Sequence, residues 1–137
     1  MTNFEELIDK NIFPLGDEIP ELQEYFVGKP YLEKLVDDPD NFDVGVGHVT
    51  FEPGSRNNWH THIEGYQIII ATGGTGWYQE KGEAAQKLVP GDVIAVPEGV
   101  NHWHGATKDS WFSHLAVTKG TTGWYEEVSD EEYEKII

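Results

Sequence analysis

The sequence predicts an all-β protein, either a sandwich or a barrel, and two observations carry this prediction. From residue 43 onward, short β-rich runs are separated by turns that contain Gly, Pro or Asp, and such spacing is typical of sandwiches and barrels. The 15 glycines concentrate at the ends of these runs, where tight turns require them. The runs read DVGVGHVTFEPG, GYQIIIATGGTGWYQE, AAQKLVPGDVIAVPEG and SWFSHLAVTKG.

Residues 1–41 are predicted to form an N-terminal extension made of a helix and a mixed segment. Asn3 is a good helix cap with Glu6 three residues later, and Pro14 closes the segment. The apolar residues that follow the cap at helical spacing are Phe4, Leu7, Ile8 and Ile12. Within the mixed part, KPYLEKLV supplies a strand or a last helical turn, and DDPDN is a turn.

Residues 42–120 are predicted to form the β domain, and residues 121–137 an acidic C-terminal tail with a short helix. Ser129 followed by Glu132 is a capping-box pattern, and such a pair marks the start of a helix. We interpret the many carboxylates of the tail as a solvated helical face. The apolar side of the helix would be formed by Tyr133, Ile136 and Ile137.

The composition limits the classes of partner. A chain of 137 residues is the size of one domain. The 25 acidic and 9 basic residues give a net charge of −16, which opposes binding to nucleic acid and to an anionic membrane surface.

There is no cysteine, so a metal would need nitrogen and oxygen ligands. The first residues, MTNFEELIDK, lack the features of a secretion signal, and we therefore expect a soluble cytoplasmic protein.

The stretch NNWHTHIEGYQ carries the first candidate site. Side chains at alternate positions of a strand point to the same face, so His60 and His62 are expected to project together. Gly65 suits a turn, after which Gln67 would begin the next strand and present its amide oxygen to the same point.

The same alternation recurs later in the chain. His102 and His104 share a face in NHWHG, and His114 has the parity of Phe112 and Ala116, which suits a barrel interior. His48 differs, because in HVTFE it alternates against apolar residues; we place it on the outer face and assign it no function.

Two interpretations of the paired histidines remain open at this point. A lone pair on a half-exposed β surface is as readily a polar spacer as a ligand. Several neutral imidazoles inside an apolar barrel are costly to bury unless something satisfies their nitrogens, and a divalent cation does so. Imidazole nitrogen and carbonyl oxygen suit Mn, Fe, Co, Ni or Zn.

Two spaced motifs lie within residues 43–118. The first is Gly54, five residues, His60-Thr-His62, four residues, Gln67, six residues, Gly74; the second is Gly91, five residues, Pro97-Glu98-Gly99, two residues, His102. Together they resemble the signature motifs of the cupin superfamily. The resemblance implies a jelly-roll-like cupin β-barrel, with short helical extensions at both ends, that forms homodimers. It also implies a divalent metal inside the barrel, held by His60, His62, Gln67 and His102.

This sequence departs from the cupin pattern at two positions. Position 67 is more often Glu in cupins, and the closing Asn of the second motif is Ala106 here. With three neutral histidines and a neutral amide, the metal would keep its full double positive charge, which favours a strong Lewis acid. The neutral amide could equally lower the affinity for the metal, and an empty site is the alternative.

Longer strings narrow the resemblance to a subgroup of small, single-domain bacterial cupins. GSRNNWHTH, GTGWYQEKG and HWHGATKDSWFSHLAV are similar to manganese-dependent cupin hydroxynitrile lyases, and also to cupin modules joined to carboxymuconolactone-decarboxylase-like domains. In those lyases a Gln and a His occur at the places of Gln67 and His104. The resemblance therefore favours manganese, with Fe, Zn, Ni or Co as alternatives.

Three further residues are candidates for catalysis. His104 and His114 would act either as the base that moves a substrate proton or as groups that orient the ligands. Arg56 has the parity of His60 and would either lie at the cavity rim, holding an anionic group, or pair with a local carboxylate.

The first functional hypothesis is lyase-type chemistry on a small hydroxy or carbonyl compound bound to the metal. A metal-dependent dioxygenase is the second, because the ligand set permits iron or copper. A cupin that binds a small molecule without turnover is the third.

Overall fold

The computed structural model describes residues 3–136, in which eleven strands form one antiparallel sheet. The sheet curls into a jelly-roll-like β-barrel with a short helix near each end, so the all-β prediction is confirmed. None of the helices in the described part is long and apolar enough to cross a membrane. In chain order the strands are β1 (Asp17–Glu18), β2 (Phe26–Val27), β3 (Pro30–Val36), β4 (Gly45–Phe51), β5 (Arg56–Asn57), β6 (His60–Gly74), β7 (Gly76–Glu80), β8 (Gln86–Leu88), β9 (Val93–Val96), β10 (His102–Ala106) and β11 (Phe112–Trp124).

The N-terminal extension contains two helices and three strands. Helix α1 spans Phe4–Lys10, and the Asn3 side chain caps it by accepting a hydrogen bond from the Glu6 amide at 2.9 Å. A 3-10 helix follows at Pro20–Tyr25. The KPYLEKLV segment is a strand, not a helical turn, because β3 pairs along its length with β4.

The C-terminal tail packs back onto the barrel. Helix α2 spans Asp130–Glu134 and begins with the capping box of Ser129 and Glu132. Tyr133 is buried and donates a hydrogen bond to the Ala106 carbonyl at 2.6 Å. Ile137, which was also expected on the apolar side of this helix, lies outside the described residues.

The sheet is wider than residues 42–120, the range predicted for the barrel. β1, β2 and β3 precede that range and pair with β3, β5 and β4 respectively. β11 continues to Trp124, where it still pairs with His60. The early strands are short and mostly only partly buried, so their sequences lack the alternation that marks a strand buried on one face.

Two apolar clusters stabilise the fold. The larger cluster fills the barrel and consists of Phe51, Ile69, Ala71, Tyr78, Leu88, Val96, Ala106 and Phe112. The smaller cluster lies between the sheet and the C-terminal tail and consists of Trp59, Trp103, Val128 and Tyr133. Trp103 occupies the face of β10 opposite to that of His102 and His104, so the tail covers one side of the sheet there while these histidines face the other.

His48 lies on the outer face of the sheet, but that face is covered at this point. The side chain is fully buried, and its Nε2 atom lies 2.7 Å from the Thr72 hydroxyl. The Phe13 ring packs against it, with ring centroids 5.0 Å apart. Alternation within β4 reports which face a residue occupies, but it contains no information about a distant segment that covers that face.

The predicted turn at Gly65 is wrong, because β6 runs without interruption from His60 to Gly74. Glu64 and Gly65 form a β-bulge opposite Gly120 of β11. Glu64 adopts a left-handed conformation, with φ of 58°. A bulge of this kind inserts one extra residue in one strand.

The bulge decides which way Gln67 faces. His62 and Gln67 are separated by an odd number of positions, so in a regular strand they would point to opposite faces. The extra residue shifts the alternation by one, and β6 resumes pairing at Tyr66 with Lys119. Gln67 therefore points to the same side of the sheet as His60 and His62.

A side chain at position 65 is expected to break this register. A Cβ atom on Gly65 would collide with the Lys119 carbonyl, whereas one on Gly45 of β4 meets nothing nearer than the Val36 oxygen at 3.6 Å. We expect Gly65→Ala to lower the free energy of unfolding by at least about 2 kcal/mol, and Gly45→Ala to change it by less than about 1 kcal/mol, in urea titrations. Equal effects of the two variants would contradict the packing of the bulge.

Candidate metal centre

Three histidines converge inside the barrel. His60 and His62 come from the start of β6, and His102, at the start of β10, is the cross-strand partner of His60. One ring nitrogen of each lies within 4.8 Å of those of the other two, and all three side chains are buried. Nitrogen ligands at about 2.1 Å from one divalent ion lie roughly 3 to 4 Å apart, so small movements suffice for all three to bind the same ion.

Backbone carbonyls fix the orientation of two of these rings. His60 Nδ1 lies 2.8 Å from the Asn58 oxygen, and His102 Nδ1 lies 2.9 Å from the Val100 oxygen. A carbonyl can only accept, so in each ring Nδ1 carries the proton and Nε2 keeps its lone pair. Both rings thus hold the tautomer that a metal ligand needs.

Gln67 completes the set with an oxygen. Its amide nitrogen donates to the Thr118 hydroxyl at 3.0 Å, and this directs Oε1 toward the histidines, 3.4 Å from His102 Nε2. Thr118 is the cross-strand partner of Gln67 in β11. With the His102 proton on Nδ1, the two facing atoms are both acceptors, and a cation between them removes the repulsion.

His62 provides the test of whether a metal fits. Within the described residues, neither of its ring nitrogens makes a hydrogen bond of good geometry, although the side chain is buried and the Gln67 side chain lies beside it. A buried polar atom without a partner is costly, and a divalent cation would satisfy the nitrogen that faces the other ligands. The donor set of three imidazoles and one amide oxygen fits a divalent transition metal.

The pKa values of these ligands favour the uncharged form. Burial, together with the nearby His102, holds the pKa of His60 well below 6.5, and burial also lowers the pKa of His62. Burial lowers the pKa of His102 to about 4. Metal binding requires neutral imidazole, so the ligands are ready at neutral pH.

A second pair of histidines lies beside this group. His104 and His114 are both buried, their ring centroids are 4.7 Å apart, and the His104 ring is 5.5 Å from that of His60. The Asn57 side chain holds His104, because Asn57 Oδ1 accepts from the His104 amide at 2.9 Å and Nδ2 lies 3.2 Å from ring Nε2. His104 is thereby fixed next to the three ligands.

The ring of His114 is held at one nitrogen only. Nδ1 lies 3.1 Å from the Leu115 oxygen, and within residues 3–136 Nε2 has no partner. Burial lowers the pKa of His114 to about 4, while burial and the nearby His114 hold the pKa of His104 well below 6.5. Both rings are therefore neutral at pH 7.

Four of the histidines line a cavity of about 130 Å³, namely His60, His62, His104 and His114. A larger groove of about 290 Å³ adjoins it, and its lining is mainly apolar. The cavity is lined by Phe26, Val49, Asn57, His60, His62, Gln67, His104, His114, Ala116, Thr118, Thr122 and Trp124. Five of these residues, namely Phe26, Val49, Gln67, Ala116 and Thr118, also line the groove.

Arg56 does not belong to the cavity wall. Its guanidinium donates twice to the Val128 carbonyl, at 3.0 and 2.7 Å, pairs with Asp130 at 2.8 Å, and lies 4.5 Å from the centre of the Tyr133 ring. Of the two roles weighed from the sequence, the structure shows the pairing with a carboxylate. Arg56 does not share the face of His60, because β5 ends at Asn57 and the alternation of side chains is interrupted before β6.

Sequence reasoning missed four residues of the site. Asn57 orients His104, Thr118 orients Gln67, and Phe26 and Trp124 form part of the wall. Trp124 lies with its ring centroid 4.8 Å from that of His60 and stacks on Tyr25 at 4.6 Å. Thr118 shares the parity of His114, and this signal could have placed it inside the barrel.

Comparison with known proteins identifies the family of the barrel. The family model described as Cupin domain matches residues 47–118. The chain is 40% identical over 116 residues to an (R)-mandelonitrile lyase of Granulicella tundricola, an alignment that covers 82% of this chain and 88% of that protein.

Solved structures show the same fold. A cupin-like protein from Thermotoga maritima superposes with a TM-score of 0.86 and 39% identity, over 92% of this chain and 96% of that one. A predicted oxalate decarboxylase from the same organism gives a TM-score of 0.69 over 88% of this chain and 99% of that one, at 18% identity, and this likeness concerns the fold alone.

The lowered histidine pKa values predict acid sensitivity of the metal-free protein. Unfolded histidines take up protons below about pH 6.5, whereas the folded ones stay neutral until about pH 4 in the case of His102 and His114. Folding stability is therefore complete above pH 6.5 and falls as the pH drops toward 4. Each such histidine contributes up to about 1.4 kcal/mol per pH unit.

Urea titrations of chelator-treated protein between pH 7.5 and 5 measure this loss. His114→Gln removes one of the groups and should reduce the slope of stability against pH by up to about 1.4 kcal/mol per pH unit. A slope that does not change in the variant would show that His114 is already charged in the folded protein.

Proposed function

The chain belongs to the cupin family, and we propose that it is a metal-dependent enzyme with lyase-type activity on a small hydroxy or carbonyl compound. The observation that carries the proposal is the proximity of two histidine groups inside one barrel. Three buried imidazoles converge as a ligand set, and two further neutral imidazoles lie beside them. The 40% identity to a mandelonitrile lyase supports the same class of reaction.

His60, His62, His102 and Gln67 would hold the metal, which we propose to be manganese. When bound, the metal supplies Lewis acidity toward a substrate oxygen. The chain keeps the ligands neutral by burial and keeps the amide oxygen of Gln67 in place through Thr118. Because Gln67 is uncharged, the ligand set contributes no negative charge to the centre.

His104 is proposed to accept the proton of the substrate hydroxyl. Its ring is neutral at pH 7, fixed by Asn57, and next to the ligand group. Loss of the hydroxyl proton lets the adjacent carbon–carbon bond break, so that the oxygen becomes a carbonyl and the leaving carbon takes up a proton. His114 lies in contact with His104 and would relay that proton.

The cavity wall limits the substrate. A volume of about 130 Å³ admits a small reacting group, and the adjoining apolar groove can receive an uncharged substituent. The surrounding chain carries a charge of −16, which disfavours anionic substrates.

Replacement of His104 separates the role of base from that of ligand. We expect His104→Ala to retain its metal, as measured by elemental analysis, and to lose turnover of cyanohydrins by about 100-fold or more. His48→Gln is the control, because His48 is also a buried histidine but lies outside the cavity. Its turnover per folded molecule should stay within about twofold of the parent protein.

Four other outcomes are possible, and each would contradict one part of the proposal. Loss of the metal from His104→Ala would make His104 a ligand, and full turnover would exclude it as the base. Iron together with oxygen uptake by the parent protein would indicate a dioxygenase. A metal-loaded protein that is inert toward a panel of carbonyl compounds and cyanohydrins would indicate a binding protein.

We further propose that two copies of the chain pair through an apolar strip on the outer face of the barrel. The strip crosses three neighbouring strands, β9, β6 and β11, and none of its side chains is charged. Side chains at alternate positions of β6 and β11 point inward and are buried, whereas those of the strip are partly or fully exposed. The strip consists of Val93, Ala95, Ile68, Ile70, Leu115 and Val117.

Light scattering after size-exclusion chromatography tests this pairing. We expect twice the 15.5 kDa of one chain for the parent protein and a single-chain mass for Leu115→Lys, because a lysine cannot be buried without a partner. Val89→Lys is the control, since Val89 is exposed but lies off the strip, and it should remain paired. A single-chain mass for the parent protein at micromolar concentration would overturn the proposal.

A further inference from the structure

The second motif contains a carboxylate that the proposed chemistry does not use. Glu98 lies in the turn after β9 and is exposed. Its Oε2 atom accepts a hydrogen bond from the backbone amide of Glu64 at 2.6 Å. In the same turn, the Gly99 amide donates to the His62 carbonyl at 3.1 Å. The turn therefore holds β6 at two points, on either side of Ile63.

The segment held in this way is strained. Glu64 is the non-glycine residue with positive φ among residues 3–136, and this conformation is unfavourable for a residue with a Cβ atom. A β-bulge leaves the extra residue without its ladder partner. The Glu64 amide finds its acceptor in Glu98, so the carboxylate supplies the hydrogen bond that the ladder does not.

We propose that Glu98 is a positioning residue for the ligand Gln67, acting through the bulge. The extra residue at Glu64 and Gly65 is what brings Gln67 to the face of His60 and His62. A bond that stabilises the bulge therefore stabilises the convergence of the amide oxygen with the imidazoles. This inference rests on the proposed metal site, and it assigns a role to the central residue of Pro97-Glu98-Gly99.

The expected effect is a loss of metal affinity. Without the carboxylate, the Glu64 amide must bond to water, and the register that places Gln67 is held less firmly. We expect Glu98→Ala to weaken the binding of Co²⁺ alone by about 10-fold, the lower end of the range for residues that orient metal ligands. Glu98→Gln keeps an acceptor oxygen and should bind within about threefold of the parent protein.

A double-mutant cycle with Gln67→Ala separates positioning from general destabilisation. If Glu98 acts through Gln67, then Glu98→Ala weakens Co²⁺ binding in the parent protein and has no further effect once Gln67 is removed. The visible spectrum of bound Co²⁺ should change in the same direction in Glu98→Ala and Gln67→Ala, because the amide oxygen of Gln67 is bound less in the first variant and is absent from the second. Equal weakening in both backgrounds would overturn the proposal.

Two further variants control for charge and for strain. Glu83→Ala removes an exposed carboxylate from the turn between β7 and β8 and should leave affinity unchanged, which excludes a simple charge effect. Glu64→Gly relieves the left-handed strain and should restore binding to Glu98→Ala. Failure of this rescue would contradict an action through the bulge.

Binding of Co²⁺ to the parent protein separates failure of the proposed metal site from failure of the positioning role of Glu98. If the parent protein binds no Co²⁺, then the proposed metal site is wrong and the role of Glu98 falls with it. If the parent protein binds Co²⁺ and Glu98→Ala binds it equally well, then the positioning role alone is wrong.

Discussion

Removal of water from the barrel interior sets the charge state on which the candidate site depends. A protonated imidazole would lose its hydration there without gaining a counter-ion, so burial is the first cause of every lowered histidine pKa in the cavity. The neutral form is the one that a metal ligand or a proton acceptor requires. What divides the two groups is position: three rings converge on a common point with Gln67, while His104 and His114 stand beside them and contact each other.

Most of the candidate ligands lie on the longest strand of the sheet. β6 pairs with β9 and β10 on one edge and with β11 along the other, so His60, His62 and Gln67 share one rigid element. Only His102 is supplied by another strand, and it is the direct neighbour of His60 across the sheet. Side chains on paired strands keep more constant distances from one another than side chains on loops do.

The alternation of side chains along strands predicted much of the site, because His60, His62, His102, His104 and His114 do meet inside one barrel. The alternation predicted the wrong position where a strand is bulged or ends, and where a distant segment covers its outer face. The Gly65 bulge resembles a turn in sequence, since both need a residue without a side chain. Arg56 was misplaced because the alternation does not continue between β5 and β6.

Contacts between distant segments could not be predicted from the local sequence pattern. The covering of His48 by Phe13 and the contact of Arg56 with Val128 each join residues far apart in the chain. Likewise, nothing local to Trp124 indicates that the strand reaches the histidines, because its wall position follows from pairing with His60. The spacing of the two motifs, by contrast, already relates residues that are far apart in the chain. For this reason the convergence of the three histidines with Gln67 was easier to predict than the wall around them.

One side of the groove comes from a part of the chain that supplies none of the candidate ligands, and this division has an evolutionary consequence. Ile19, Leu22 and Phe26 belong to the segment around the 3-10 helix and line the groove, whereas the ligands lie on β6 and β10. Substitutions or insertions in that segment can therefore reshape what the cavity admits without moving a single donor atom. A duplicated copy of such a gene could acquire a different binding preference by changes confined to residues 19–26, while the histidine cluster and Gln67 stay unchanged.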